Sequence, residues 1–162
     1  MPTRAQILAV SQGLPGTIWA IVIVWIGASM ASGTPGIEAI AIAMLLTGVP
    51  LALMIMTVAF RRFFTKELLM GEQPEFDSPA GIDIRVLRNT VEQAVLTLCV
   101  IPAAALFVSP DLAIILGANF VVARIVYWIG YRISHLARIM GFAMGFYALL
   151  FAGALAGFNF FI

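Results

Sequence analysis

Residues 39–60 read AIAIAMLLTGVPLALMIMTVAF, and this run of 22 residues contains no charged side chain. A membrane-spanning α-helix needs about 20 apolar residues to cross a hydrocarbon core of about 30 Å, because each residue adds about 1.5 Å along the helix axis. The run is therefore long enough to cross a membrane once. Pro50 near its middle predicts a kink, since proline removes a backbone hydrogen bond within a helix.

The whole chain has the composition of an integral membrane protein. Its 162 residues are 62% hydrophobic and 10% charged, with a mean hydropathy of +1.06, whereas charged residues make up about 25% of soluble domains. The net charge is +1 and there is no basic run, so no nucleic-acid-binding surface is expected. The single cysteine, Cys99, predicts neither an internal disulfide nor a metal site. The single histidine, His135, is expected to be a packing residue.

A first span is predicted over residues 17–31, the densest apolar part of an uncharged segment that extends from 5 to 37. The cluster Ser32-Gly33-Thr34-Pro35-Gly36 behind it predicts a turn. A cleaved signal peptide is the alternative, because Arg4, the apolar core and the small residues near position 30 imitate its three regions. We expect a retained membrane helix.

The remaining apolar segments predict three more spans. A charged loop follows the second span and ends near Ile84, and the third helix is fully apolar from 94 to 108. The turn Ser109-Pro110-Asp111 predicts Asp111 as the N-cap of a fourth helix. That helix must break between Ile133 and Arg138, because residues 139–162 are long enough to form a fifth span.

Basic residues predict the orientation of these five spans. Arg4, the region 61–88 and the turn at 132–138 fall on one side of the membrane, whereas the turns at 32–37 and 109–111 contain no lysine or arginine. Cytoplasmic loops carry an excess of basic residues. The N-terminus and the long loop are therefore expected to be cytoplasmic, and the C-terminus to lie on the far side.

A polar stripe interrupts the fourth helix. Arg124, Tyr127, Tyr131 and Arg138 are spaced at i, i+3, i+7 and i+14, so a helix would place them on one face. Arginine in a membrane span is costly unless it faces a bundle interior, a cavity or an anion, and tyrosine adds a hydroxyl donor. This pattern predicts an anion-binding wall. The alternative is a set of snorkelling arginines and interfacial aromatic residues at a helix end.

A second polar face opens the third helix, at the same expected membrane depth. Arg85, Asn89 and Glu92 stand at i, i+4 and i+7. Their mixed charges, together with the arginines of the stripe, predict a site for a zwitterionic ligand with excess negative charge. Arg88 and Glu92 are also an i, i+4 pair, which alone would predict an ion pair on the helix surface.

Two pairs of glycines in the last span, Gly141/Gly145 and Gly153/Gly157, have the small-xxx-small spacing that permits close helix approach. We also expect a single chain to expose the polar stripe to lipid. Both features favour a homotrimer.

Together, these motifs resemble the MAPEG superfamily, which contains microsomal glutathione transferases, leukotriene C synthase and microsomal prostaglandin E synthase. The resemblance is carried by Arg85-x-x-x-Asn89-x-x-Glu92 and by Ala123-Arg124-x-x-Tyr127-x-x-Gly130-Tyr131, with Arg138 seven residues further on. Pro74-Glu75-Phe76 ahead of the first motif also fits. The similarity extends over about residues 38–162.

The resemblance implies a fold and a ligand. The fold would be an all-α integral membrane protein, with a four-helix MAPEG-type bundle over 38–162 and an additional N-terminal transmembrane helix and turn over 1–37. The bundle would assemble as a trimer, with glutathione bound between subunits near the cytoplasmic face.

It also implies roles for individual residues. Glu92 would bind the ammonium group of glutathione, and Arg138 would stabilise its thiolate. The residues expected to hold or line the remainder of the ligand are Arg85, Asn89, Arg124, Tyr127 and Tyr131, with Arg61 or Arg62 at a carboxylate.

Two features depart from the family pattern. Gln93 stands where leukotriene-forming members have a tyrosine, and the helix at 5–31 lies outside the four-helix pattern. That helix is expected to be an anchor, a plug or a docking surface. Two functions are therefore predicted: a glutathione-dependent transferase or peroxidase acting on lipophilic electrophiles, or a non-enzymatic subunit that docks into a larger membrane complex through the extra helix.

Overall fold

Long helices dominate a computed structural model of the chain, which describes residues 4–134 and 136–162, with side chains from residue 10 onward. The elements in these ranges are α1 (Arg4–Ser29), α2 (Gly36–Phe64), α3 (Lys66–Leu69), α4 (Pro79–Phe107), α5 (Pro110–Ile133) and α6 (Arg138–Phe161). Every one except α3 is long and apolar enough to cross a membrane. The predicted all-α membrane fold with five spans is therefore confirmed. His135 lies outside the described residues.

Several helices begin earlier than predicted. Helix α1 starts at Arg4 and continues through Pro15, although the first span was predicted over residues 17–31. Helix α4 starts at Pro79 because Ser78 caps it by accepting a hydrogen bond from the Gly81 amide at 3.1 Å. At Pro50, where a kink was predicted, helix α2 is not interrupted. Apolar content alone therefore underestimates the helices, because their polar first and last turns also remain helical.

The predicted N-cap of α5 is wrong. Ser109, not Asp111, caps this helix: its hydroxyl accepts from the Leu112 amide at 3.0 Å, and Pro110 occupies the first helical position, where no amide donor is needed. The Asp111 carboxylate instead accepts hydrogen bonds from the Ser32 amide, at 2.8 Å, and from the Ser32 hydroxyl. Asp111 therefore ties the turn after α1 to the start of α5.

Helix α1 packs against α5 and α6. Trp19 donates from its indole nitrogen to Asn119 Oδ1 at 2.7 Å, and Asn119 donates in turn to the Met144 carbonyl at 3.0 Å. At the end of α1, the Ser109 hydroxyl donates to the Gly27 carbonyl at 2.7 Å. Polar groups in hydrocarbon need internal partners, so these bonds fix α1 to a defined place in the bundle.

The first glycine pair of α6 is used inside the chain. A Cβ at Gly141 would collide with the backbone of Tyr127, and one at Gly145 would lie 2.6 Å from Gln93 Oε1. Gly153 and Gly157 are different: a Cβ at Gly153 would touch only Val100, at 3.7 Å or more, and one at Gly157 would meet nothing within 4 Å. Gly141 and Gly145 therefore allow the close helix approach that their spacing predicts, and they do so within the chain. This pair gives no support to the predicted homotrimer.

Gly16→Ala is expected to loosen α1. The added methyl group would lie 2.6 Å from the Met140 carbonyl oxygen and 2.7 Å from Ala143 Cβ, so α1 would have to move away from α6. Overpacking of this kind costs about 1–3 kcal/mol, which we expect to see as a lower thermal midpoint in detergent. Gly13→Ala, one turn earlier, is the control, because its methyl group would touch only Ile139 Cγ2 at 3.7 Å. Equal midpoints would contradict a tight contact at Gly16.

Candidate functional site

Arg124 of α5 lies at the centre of the bundle and is only 1% exposed. Its guanidinium donates to Asn89 Oδ1 at 2.9 Å, to Gln93 Oε1 at 3.1 Å and to the Gly141 carbonyl at 3.3 Å. These partners come from α4 and α6, and all of them are neutral. The polar stripe is therefore covered within one chain, and the expectation that a single subunit exposes it to lipid is wrong.

The sequence makes room for this arginine at Gly145. A Cβ there would lie 3.2 Å from the terminal nitrogen of Arg124, in addition to its contact with Gln93. The close approach of α6 to α5 at Gly141 brings a backbone carbonyl within reach of the same guanidinium. Small residues on α6 therefore allow a large cation to be buried between three helices.

Arg85 and Arg138 converge on the hydroxyl of Tyr131. Arg85 donates from Nε at 3.2 Å, and Arg138 donates from a terminal nitrogen. The Arg85 guanidinium also lies 3.7 Å from the centre of the Phe76 ring, which is supplied by the loop before α4. Among the described residues, neither arginine forms an ion pair with a carboxylate. Two positive charges therefore meet at one end of the bundle, and neither is paired with a carboxylate in the part of the chain that the structure describes.

Next to these arginines is a pocket of about 310 Å³, lined by Asn89, Tyr127, Arg138, Ile139 and Phe142. We call it the polar pocket. Three helices, α4, α5 and α6, contribute to its walls. It combines an amide, a phenol and a guanidinium on one side with apolar side chains on the other, which suits a ligand that has both an anionic group and an apolar neighbour.

Three buried donor atoms near this pocket have no hydrogen-bond partner in the described part of the chain: a terminal nitrogen of Arg85, Nε2 of Gln93 and Nε of Arg124. An unpaired buried donor costs about 1–3 kcal/mol. A ligand that brings acceptor oxygens to these atoms would remove that cost. The donor set therefore fits an anionic ligand rich in carboxylate and carbonyl oxygens.

Glu92 lies at the rim, where its side chain is 57% exposed. It pairs with Arg88 at 3.4 Å and accepts from the Asn89 amide nitrogen, also at 3.4 Å. The surface ion pair that the i, i+4 spacing predicts is therefore present. Both distances are long, so Glu92 remains available to a cationic group that approaches from outside.

The arginines at the end of α2 are placed away from the polar pocket. Arg61 pairs with Asp83, which is completely buried, and Arg62 is exposed and lines two other pockets, which include Ile84 and Leu87 of α4. Asp83 also accepts from Arg132 at 2.7 Å and from the Trp128 indole at 3.0 Å. Within one chain, neither Arg61 nor Arg62 lines the polar pocket.

Sequence reasoning missed Asp83 and underestimated Gln93. Asp83 was grouped with the charges of the loop, yet it shares a helix face with the buried residues Val86 and Thr90, at i, i+3 and i+7. That spacing could have predicted that Asp83 is buried. Gln93 was noted only as a departure from a family pattern, although it is 3% exposed and holds Arg124.

Comparison with known proteins gives one match. The model of the MAPEG family matches residues 39–158, which include all of α2 except its first residues, α3 to α5, and all but the end of α6. Helix α1 lies outside the matched region. No curated protein and no solved structure matches the chain.

Proposed function

Because the chain belongs to the MAPEG family, we propose that it is a glutathione-dependent membrane transferase or peroxidase that acts on lipophilic electrophiles. The observation that carries this proposal is the convergence of Arg85 and Arg138 on Tyr131 with no carboxylate to balance them. Glutathione has two carboxylates and one ammonium group near neutral pH, so its charge complements this site.

Each residue of the site would bind the group of glutathione that has the complementary charge. Arg85 and Asn89 would bind a carboxylate, and Gln93 Nε2, a buried donor without a partner among the described residues, would donate to a peptide carbonyl. Glu92 at the rim matches the ammonium group. Arg124 is too enclosed to move, so its role is to hold Asn89 and Gln93 in place.

Arg138 is the residue we assign to the chemistry. Glutathione supplies a thiol, and its ionised sulfur forms a bond to an electrophilic carbon while the leaving group departs with the electron pair of the broken bond. A free thiol has a pKa of about 8.5, so it is mostly protonated at neutral pH. A guanidinium beside the sulfur favours the anion and lowers that pKa. Arg138 lines the polar pocket and is half-buried, which suits this task.

We also propose that the protein works as a homotrimer, with its charged end in the cytoplasm. Support comes from the open rim of the polar pocket, where Glu92 is largely exposed, so a neighbouring subunit would complete the wall. Arg62 is exposed on α2, whereas Arg61 is held by Asp83. Arg62 is therefore the better of the two for reaching a carboxylate in the pocket of a neighbour.

Arg85→Ala and Glu92→Gln are each expected to weaken glutathione binding by about 10-fold to 100-fold, since a hydrogen bond to a charged group contributes about 1.5–3 kcal/mol. Isothermal calorimetry on purified protein in detergent measures this directly. Arg88→Ala is the control, because Arg88 is 83% exposed and does not line the polar pocket. Unchanged affinity in both test variants would remove Arg85 and Glu92 from the site.

The same experiment decides between the two predicted functions. Wild-type protein that fails to bind glutathione would end the enzyme proposal. The alternative, a non-enzymatic subunit that docks into a larger membrane complex, is favoured by the outer face of α1, where Ile18 is 61% exposed and Trp25 is 71% exposed. That function requires no glutathione affinity.

A further inference from the structure

A groove of about 400 Å³ runs between α1 and α6. We call it the α1–α6 groove. Helix α1 contributes Gly13, Leu14 and Thr17 to its lining, and α6 contributes Ile139, Phe142 and Tyr147. Because α1 lies outside the region that matches the MAPEG family, this groove is a property of the extra helix.

Two glycines of α1 explain why the groove exists. At Gly16 the helices touch so closely that a Cβ would lie 2.6 Å from the Met140 carbonyl oxygen. One turn earlier, at Gly13, a Cβ would meet only Ile139 Cγ2, at 3.7 Å. The helices therefore separate between Gly16 and Gly13. Glycine within a helix costs about 1 kcal/mol relative to alanine, and at Gly13 close packing does not account for that cost. Because Gly13 has no side chain, it leaves the space between the two helices open.

The α1–α6 groove lies next to the polar pocket. Ile139 and Phe142 line both, so these two apolar side chains stand where the groove and the pocket adjoin. Among the described side chains of α1 that line the groove, the hydroxyl is that of Thr17, and it donates to the Gly13 carbonyl at 3.1 Å. Leu14 is 56% exposed, so the groove opens at the surface of the bundle. The groove is therefore a mainly apolar surface that adjoins the pocket lined by Arg138.

We propose that the α1–α6 groove binds the alkyl chain of the lipophilic electrophile and places its reactive carbon in the polar pocket. This inference rests on the proposed function. Lipid is as apolar as the groove, so burial of a chain there gains little from the hydrophobic effect, and discrimination must come from shape. A groove of about 400 Å³ between two helices has room for a single alkyl chain. The substrate class is therefore an electrophile at the end of a single alkyl chain.

The test fills the groove. Gly13→Phe places a ring where the helices separate, and Gly48→Phe is the matched control, because a Cβ at the exposed Gly48 of α2 would meet nothing within 4 Å.

Conjugation of glutathione to 2-butenal and to 2-dodecenal is compared in phosphatidylcholine vesicles. In this reaction the sulfur bonds to the β-carbon, the electron pair of the double bond moves to the α-carbon, and that carbon takes a proton from water. Comparing variants on the same aldehyde cancels its partition into lipid.

Gly13→Phe is expected to lower kcat/KM for 2-dodecenal by about 10-fold, because a steric conflict of about 1.4 kcal/mol is a factor of ten. The value for 2-butenal should change by less than about 2-fold. Gly48→Phe should change neither. Equal losses for both aldehydes, or no loss for either, would overturn the assignment of the groove while leaving the proposed function intact.

A second measurement needs neither turnover nor a variant. A 2-alkenal with a diazirine at the end of its chain, photolysed with wild-type protein in the same vesicles, should label α1 and α6, and excess 2-dodecenal should reduce that labelling. Labelling elsewhere, or labelling that excess aldehyde does not reduce, would mean that only bilayer chains occupy the groove. If wild-type protein shows no conjugation at all, the proposed function fails, and this labelling alone decides whether the groove binds the chain.

Discussion

Replacing Arg138 with alanine is expected to slow glutathione conjugation by about 100-fold, while glutathione affinity falls by less than about 10-fold. Removing one positioned group that stabilises developing or ionised charge costs about 10²-fold to 10³-fold in rate. The interaction is mainly with the ionised sulfur, so the protonated ligand should bind almost as well. Tyr131 keeps its other arginine, Arg85, at 3.2 Å, which should preserve the local structure.

Two measurements separate this effect from a loss of binding. Thiolate absorbance against pH should show a higher pKa for bound glutathione in Arg138→Ala than in wild type, and turnover of a generic aryl halide should fall in parallel. Arg138→Lys is the matched variant, and it should recover part of the rate, since an ammonium group supplies charge without the planar fork. Wild-type kinetics in Arg138→Ala would leave the family assignment intact and move the chemical role to Tyr127, which also lines the polar pocket.

Asp83→Asn is expected to lower the free energy of unfolding more than Gly16→Ala does. Asp83 is completely buried and joins Arg61 of α2 to Arg132 and Trp128 of α5. Neutralising it would leave two arginines facing an amide. Breaking a buried ion pair costs about 3–5 kcal/mol, and we expect about 3 kcal/mol because the arginine side chains are 37% and 40% exposed and can turn towards solvent.

Glu92→Gln makes the same chemical change, from carboxylate to amide, at a pair that is mostly exposed. Exposed pairs contribute about 0–1 kcal/mol. Thermal unfolding in detergent should therefore show a large drop for Asp83→Asn and almost none for Glu92→Gln, whereas glutathione affinity should fall for Glu92→Gln. Similar unfolding midpoints for the two variants would mean that the Asp83 cluster does not hold α2 against α5.

The membrane fold was predictable because it depends on local features. A run of 22 uncharged residues such as 39–60 is too apolar for the surface of a soluble protein, and its length matches one crossing of a membrane. Helix ends were less predictable. Ser109 and Asp111 both have capping side chains, and the choice between them depends on Ser32, which is 79 residues from Asp111 in the chain. A sequence pattern does not contain that contact.

The site was predictable only in part, for the same reason. The spacing of Arg85, Asn89 and Arg124 indicated which faces are polar, but not that Arg124 donates to Asn89 inside one subunit. That arrangement requires α6 to approach α5 at Gly141, which is a property of the packed bundle. Asp83 was mispredicted for a different reason. It was counted among the exposed charges of the loop, although its spacing to Val86 and Thr90 matched the buried face of α4.

The position of α1 has a consequence for biosynthesis. This helix leaves the ribosome before its partners α5 and α6, with α6 starting at Arg138, more than 100 residues after α1 ends at Ser29. At about 5–20 residues per second, α1 must wait in the bilayer for about 5–20 s before α6 is complete enough to receive it. During that time the indole of Trp19 has no Asn119 to bond, so α1 is exposed to other membrane helices. Insertion factors that shield a nascent helix would act on this protein in that interval.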